Sequence, residues 1–163
     1  MRVRKLLALF VLLVMSLAGT ACGWFDSGPG DGYVRWDGMN DEYHEAAASF
    51  PYSLPEGVVF PADAYYDPDV DDDSWFEAGY GAMQAYAFAE CAHRSVVVAN
   101  ETADFDAAMS ALDSAVEIYR SPFYQAHVVG SMKPIIEQAR LGDFTVFNEM
   151  YQTDCVGGWM GFK

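Results

Sequence analysis

The sequence predicts a mainly α fold, a single compact helical domain of four to five helices with a proline-rich N-terminal arm. Three observations carry this. Apolar residues recur at three- and four-residue steps through most of the stretch from residue 74 to residue 151. Prolines gather in one earlier stretch, at Pro51, Pro55, Pro61 and Pro68. Ser, Thr, Asp and Gly punctuate the periodic segments where helices would start and stop.

The chain opens with MRVRK, in which Arg2, Arg4 and Lys5 are balanced by no acid. Residues 6–18, LLALFVLLVMSLA, are apolar apart from Ser16. A basic start followed by about 7–15 apolar residues is the build of a secretory signal. The run falls short of the about 20 apolar residues that a membrane span needs. Residues 22–32 are rich in Gly and read as a flexible tether to a domain at 33–163.

The junction Ala18-Gly19-Thr20-Ala21-Cys22 resembles the lipobox of bacterial lipoproteins, departing from it at Gly19, where Leu, Val or Ile is usual. The resemblance implies a cut between Ala21 and Cys22, a signal peptide at 1–21, and a diacylglycerol on the Cys22 sulfur. The membrane would then be a partner through Cys22, at the extracytoplasmic face of the bacterial cell membrane. The residues leave two alternatives open. A non-lipid signal peptidase could cut after Ala21 or Ala18 and release a secreted protein, or the short run could stay as an anchor. The stretch LPEGVVFP, with the acidic turn and aromatic-rich helices after it, is similar to uncharacterised lipoproteins of actinobacteria, which implies no activity.

There are three cysteines, Cys22, Cys91 and Cys155. An odd cysteine in an exported chain is a flag. With Cys22 lipidated, Cys91 and Cys155 remain as a pair in an oxidising compartment, and one disulfide is expected. Two separate buried thiols are the alternative.

Three of the nine Lys and Arg, but none of the 24 Asp and Glu, lie in residues 1–21. The remainder has 6 basic residues against 24 acidic ones, a net charge of −18. Phosphate backbones repel such a surface, so no nucleic acid is expected as a partner. Anionic lipid headgroups repel it too, so a lipid rather than a basic patch would hold the chain at a membrane.

Asn40 is the expected cap of a short helix over residues 40–48. The prolines of residues 51–68 predict an extended arm, continuing to residue 73, with a type I turn at Leu54–Gly57. Its Leu54, Val58, Val59, Phe60, Tyr65 and Tyr66 must pack across the helices or face a partner, and packing on the protein's own core is favoured. Ser74 and Glu77 form a capping box that starts a helix running to about Ala99, with Phe76, Tyr80, Met83, Ala87 and Cys91 on one face. Gly79 and Gly81 would allow another segment to approach closely.

Thr102 is the expected cap of the next helix, whose stripe is Phe105, Ala108, Met109, Leu112, Ala115, Val116 and Tyr119. Ser121 and Pro122 start a short helix ended by Gly130. Another helix spans 132–141, with Pro134 in its first turn and Gly142 as its stop. Asp143 caps a last segment, which holds β-branched Thr145 and Val146 but also helically spaced Phe144, Phe147 and Tyr151. Over 144–154, helix and strand both remain open. Trp159 and Phe162 could dock the tail.

Among residues that could carry chemistry, Asp67, Asp69, Asp71 and Asp73 with Glu77 are the candidate metal ligands. Asp67, Asp69 and Asp71 alternate as at the start of a calcium loop. Asp72 replaces the turn glycine of an EF-hand, and Glu77 falls one residue short of the final ligand position. An irregular calcium site therefore competes with a plain solvated turn, the favoured reading. His44, His93 and His127 show no metal-ligand spacing. Glu90 and His93 lie one helical turn apart, a pattern found on many helices.

No catalytic residue can be named, and no cofactor other than calcium is indicated. The leading expectation is a membrane-anchored, non-catalytic binding or envelope-associated protein. It would use an apolar or aromatic groove between the arm and the Gly79–Gly81 helix to take an envelope protein or a small ligand. A calcium- or small-ligand-binding module using residues 67–73 is the second reading, and a small secreted hydrolase the third.

Overall fold

The computed structural model describes residues 31–67, 73–121 and 126–157, with backbone alone at 126–129. The expected signal segment, Cys22, the expected tether up to residue 30, Pro68, Asp69, Asp71, Asp72, Pro122, the His127 side chain, Trp159 and Phe162 lie outside the described residues. The chain is mainly helical, with one disulfide, as the sequence predicts. In order come β1 (Tyr33–Val34), α1 (Trp36–Ala48), the arm, β2 (Phe76–Glu77), α2 (Tyr80–Asn100), α3 (Phe105–Tyr119), α4 (Ala126–Arg140) and α5 (Thr145–Met150). A π-helical turn, Tyr151–Val156, continues α5. The segment left open between helix and strand is thus helical.

α2 is the central element, packed by α1 on one side and α3 on the other. It is buried over most of its surface, through Ala82, Ala85, Ala89, Ala92 and Val97 and also through Gln84, Glu90, His93 and Arg94. The expected stripe lies elsewhere, because Met83 and Ala87 are only half-buried. Small side chains line the helix contacts, so the larger apolar residues do not mark the buried face. α3 has one solvent face and follows its pattern better. Leu112, Ala115 and Tyr119 are buried as expected, Ile118 joins them, and Phe105 is exposed.

The Ser74–Glu77 capping box does not form. Phe76–Glu77 pairs antiparallel with β1, Tyr33 opposite Glu77 and Val34 opposite Phe76, and α2 starts only at Tyr80. Gly79 turns the chain with φ +91°, and the Glu42 carboxylate of α1 accepts from the Gly79 and Gly81 amides at 2.9 and 3.3 Å. An acid from a neighbouring helix thus caps the positive end of α2, a role given locally to Ser74 by the sequence pattern.

Gly81 does allow close approach. A Cβ there would lie 1.8 Å from the Met39 carbonyl oxygen of α1. Gly81→Ala is therefore expected to lower the unfolding free energy by about 1–3 kcal/mol as the two helices are forced apart. Urea unfolding of the variant checks this, with an unchanged midpoint as the contrary result.

Other boundaries shift for similar reasons. Asn40 lies inside α1, and its side chain holds the arm instead of capping. Asp104, not Thr102, caps α3, its carboxylate accepting from the Ala107 amide at 3.0 Å. α4 runs unbroken through Gly130 and Pro134, so two expected short helices are one. Its end matches the sequence. Gly142 adopts φ +90°, its amide bonds to Ala139 O, and the Asp143 amide reaches back to Gln138 O, which closes the helix as a Schellman turn. Asp143 then accepts from the Thr145 amide at 3.1 Å.

The arm lies partly on the protein's own core, but Val59 and Tyr65, also expected to pack, are exposed. Phe50, Tyr52, Leu54 and Phe60 pack against Tyr86, Ala89 and Ile118. Its turn forms one residue later than expected, with Val58 N bonded to Pro55 O and Gly57 at φ +79°. That positive φ at the third position is what a type II turn requires.

Candidate ligand pocket and the buried polar network

The arm does not close completely on the helices. Between its residues 61–66 and helices α1 and α2 lies a pocket of about 300 Å³. α1 contributes Tyr43, α2 contributes Gln84 and Phe88, and the arm contributes Pro61, Asp63, Ala64, Tyr65 and Tyr66. Hydrogen bonds from α1 and α2 to the arm's backbone fix it there. Asn40 accepts from the Ala64 amide at 2.9 Å, buried Gln84 accepts from the Tyr65 amide at 2.8 Å, and Tyr43 donates to the Pro61 carbonyl at 3.1 Å. Burial, reinforced by nearby Asp63, pushes the Tyr43 hydroxyl up to about 12, so it remains a donor at ordinary pH. Asp63 sits at the exposed rim, where its Oδ1 accepts from Asn40 Nδ2 at 3.0 Å and lies 3.3 Å from His44 Nε2. Among the described residues, no Ser, Thr or Cys lines the pocket.

A second feature joins α2, α3 and the π-helical turn. The Tyr119 hydroxyl donates to Glu90 and accepts from Arg94, and Arg94 is ion-paired with Glu90 one turn earlier on α2. Arg94 Nη1 also reaches Asp154 at 3.3 Å, and its guanidinium lies 5.7 Å from the Phe147 ring centroid. Burial opposes the Arg94 charge, but Glu90 first, then Tyr119 and Asp154, outweigh it and hold the guanidinium above its ordinary value. Burial and then Glu90 raise the Tyr119 phenol far above its own. These groups satisfy one another inside the core. They hold three elements together, and beside them the Cys91–Cys155 bridge fastens the π-helical turn to α2.

Glu90 and His93 serve different contacts. His93 is buried and its Nε2–H donates to the Ser53 carbonyl of the arm at 2.9 Å. Burial lowers its pKa, against the opposing pull of the Ser53 bond. The unfolded chain, at the ordinary value of about 6.5, therefore takes up the proton first. Stability present above that value is expected to fall as pH drops from it toward the depressed folded value. His93→Gln should remove this part of the pH dependence, as read by urea midpoints across the acid range. A variant curve parallel to the parent's would contradict the assignment.

Of the candidate metal ligands, Asp67 ends the described part of the arm, Asp73 precedes β2, and Glu77 is exposed on β2. The Asp73 carbonyl accepts from Arg35 at 2.8 Å, and Arg35 also stacks over Trp75. Among the described residues, no three acids, His or Cys gather as a metal site would require. The described residues likewise include no helix long and apolar enough to cross a membrane.

A further groove, of about 470 Å³, separates α3 from α4 and is lined by Val116, Met132 and Ile136 with Arg120, Lys133 and Arg140 at its edges. Arg120 pairs with Glu117 and Arg140 with Asp113. Sequence reading missed Gln84 and Arg94 and gave Asn40 only a capping role. A lone Gln in an alanine-rich helix, and Glu90 and Arg94 at four-residue spacing, were the signals available. Comparison with family models, curated proteins and solved structures finds no match to this chain.

Proposed function

We propose that this chain is a membrane-tethered, extracytoplasmic binding protein that holds a small ligand in the pocket between its arm and α2. The pocket carries the reading. Its aromatic rings come from three separate segments, and the arm that supplies Tyr65 and Tyr66 is pinned through its backbone, which leaves the pocket preorganised. Its volume is at the lower end of the roughly 300–1,000 Å³ typical of small-molecule sites. The tether is supported by the basic and apolar start, the small residues before Cys22 and the charge of −18 after residue 21, which needs a lipid to stay at an anionic surface. A disulfide agrees with an oxidising compartment.

Two measurements test it. The intact mass of protein from the membrane fraction should correspond to a chain starting at Cys22 with lipid attached, and Cys22→Ala should leave that fraction. A cleaved Cys22→Ala protein that still partitions with membranes refutes the anchor. A thermal-shift screen of small molecules should give stabilisers whose effect is lost in Tyr65→Ala. Stabilisers unaffected by that change would move the binding site elsewhere.

A further inference from the structure

We infer that the arm pocket selects an organic cation, a methylated ammonium group of about the size of choline; this rests on the pocket being the ligand site. The lining chemistry gives the class. Tyr43, Tyr65, Tyr66 and Phe88 supply aromatic rings, and Asp63 supplies one carboxylate at the rim. Aromatic faces attract cations through the ring quadrupole, most strongly where water is excluded. The Tyr43 hydroxyl is turned to the Pro61 carbonyl, and its buried ring forms part of the pocket wall. Among the described residues, no Lys or Arg lines the pocket, and the net charge of −18 after residue 21 favours cations around the whole surface.

The same lining argues against other cations. A calcium ion needs about 6–8 oxygen ligands, and among the described residues the pocket lining includes one carboxylate. A primary ammonium brings three N–H donors, and any left unpaired on burial is costly. A fully methylated ammonium has no N–H to satisfy, so rings and a single distant carboxylate suffice. The α3–α4 groove is the contrasting case, since its described lining includes one aromatic residue, Tyr119, which is buried and engaged with Glu90 and Arg94.

The test is calorimetric titration of the whole membrane-extracted chain, in a neutral detergent, with choline and with dimethylbutanol, its uncharged carbon isostere. Choline is expected to bind at least about tenfold more tightly than the isostere, the scale of a few cation–π contacts acting together. Asp63→Asn, an exposed change that keeps an acceptor for Asn40, should weaken choline severalfold without altering the melting temperature, and Phe88→Leu, which keeps an apolar wall but loses a ring packed on Phe60, should weaken it severalfold with a small drop in melting temperature. Equal binding of the two probes overturns the cation preference while leaving an apolar ligand pocket. Binding of neither probe overturns it too, and the thermal-shift screen then decides separately whether the pocket binds anything else. Choline binding that ignores both variants overturns the location.

Discussion

Loss of the Cys91–Cys155 bridge is expected to lower the unfolding free energy by about 4 kcal/mol, the chain-entropy value for a loop of this length. The two cysteines are 64 residues apart, so in the unfolded chain the bridge restrains most of the region from the start of α2 to the end of the π-helical turn. Both are buried, and they pack with Tyr151, Val98 and Val156. Cys91→Ala with Cys155→Ala therefore also removes some packing. Urea unfolding of the oxidised protein, the reduced protein and the double variant is the measurement. The midpoint should fall in both bridge-free forms, and the denaturant slope should rise because the unfolded chain becomes more open. The local consequence is specific. Amide exchange should speed up most over residues 145–157, the segment the bridge holds against α2. Equal midpoints with and without the bridge would contradict this account.

Arg94→Met is the second large effect, with an expected cost of about 3–5 kcal/mol. Arg94 and Glu90 are 3% and 6% exposed, so removing the guanidinium leaves a buried carboxylate whose remaining named partner is the Tyr119 hydroxyl. The attraction between the charges is not the main quantity. Most of the cost comes from removing the Arg94 charge beside a carboxylate that is itself buried. Hence Glu90→Met with Arg94→Met should recover much of the loss, because neither charge then needs compensation. A double-mutant cycle by urea denaturation separates the terms. If the double variant is as unstable as the sum of the single ones, the pair is not coupled as described.

How far the sequence could lead depended on where each partner lay. α3 was legible because it has one wet face, and Asp113 and Glu117 mark that face while Leu112, Ala115 and Tyr119 mark the other. The Gly142 stop of α4 was legible because the turn is completed by neighbours in the chain. α2 was not, since it is covered from two sides and its alanines carry the contacts. The Ser74–Glu77 box had correct local chemistry, but strand pairing with Tyr33–Val34 and a cap from Glu42 displaced it. The candidate site shows the same division. Tyr65 and Tyr66 stood out as aromatic residues that needed a surface. The polar groups that build the pocket did not, because Gln84 and Asn40 bond to arm amides 19 and 24 residues away. A side chain whose partner is a distant backbone amide leaves no pattern in its own neighbourhood.

The location of the ligand site is the central claim, and side-chain NMR of the whole chain during titration of the strongest stabiliser from the thermal-shift screen tests it most directly. The account predicts that shifts concentrate on the rings of Tyr43, Tyr65, Tyr66 and Phe88 and on the Gln84 amide. Shifts concentrated instead on Val116, Met132 and Ile136, in the groove between α3 and α4, would contradict it.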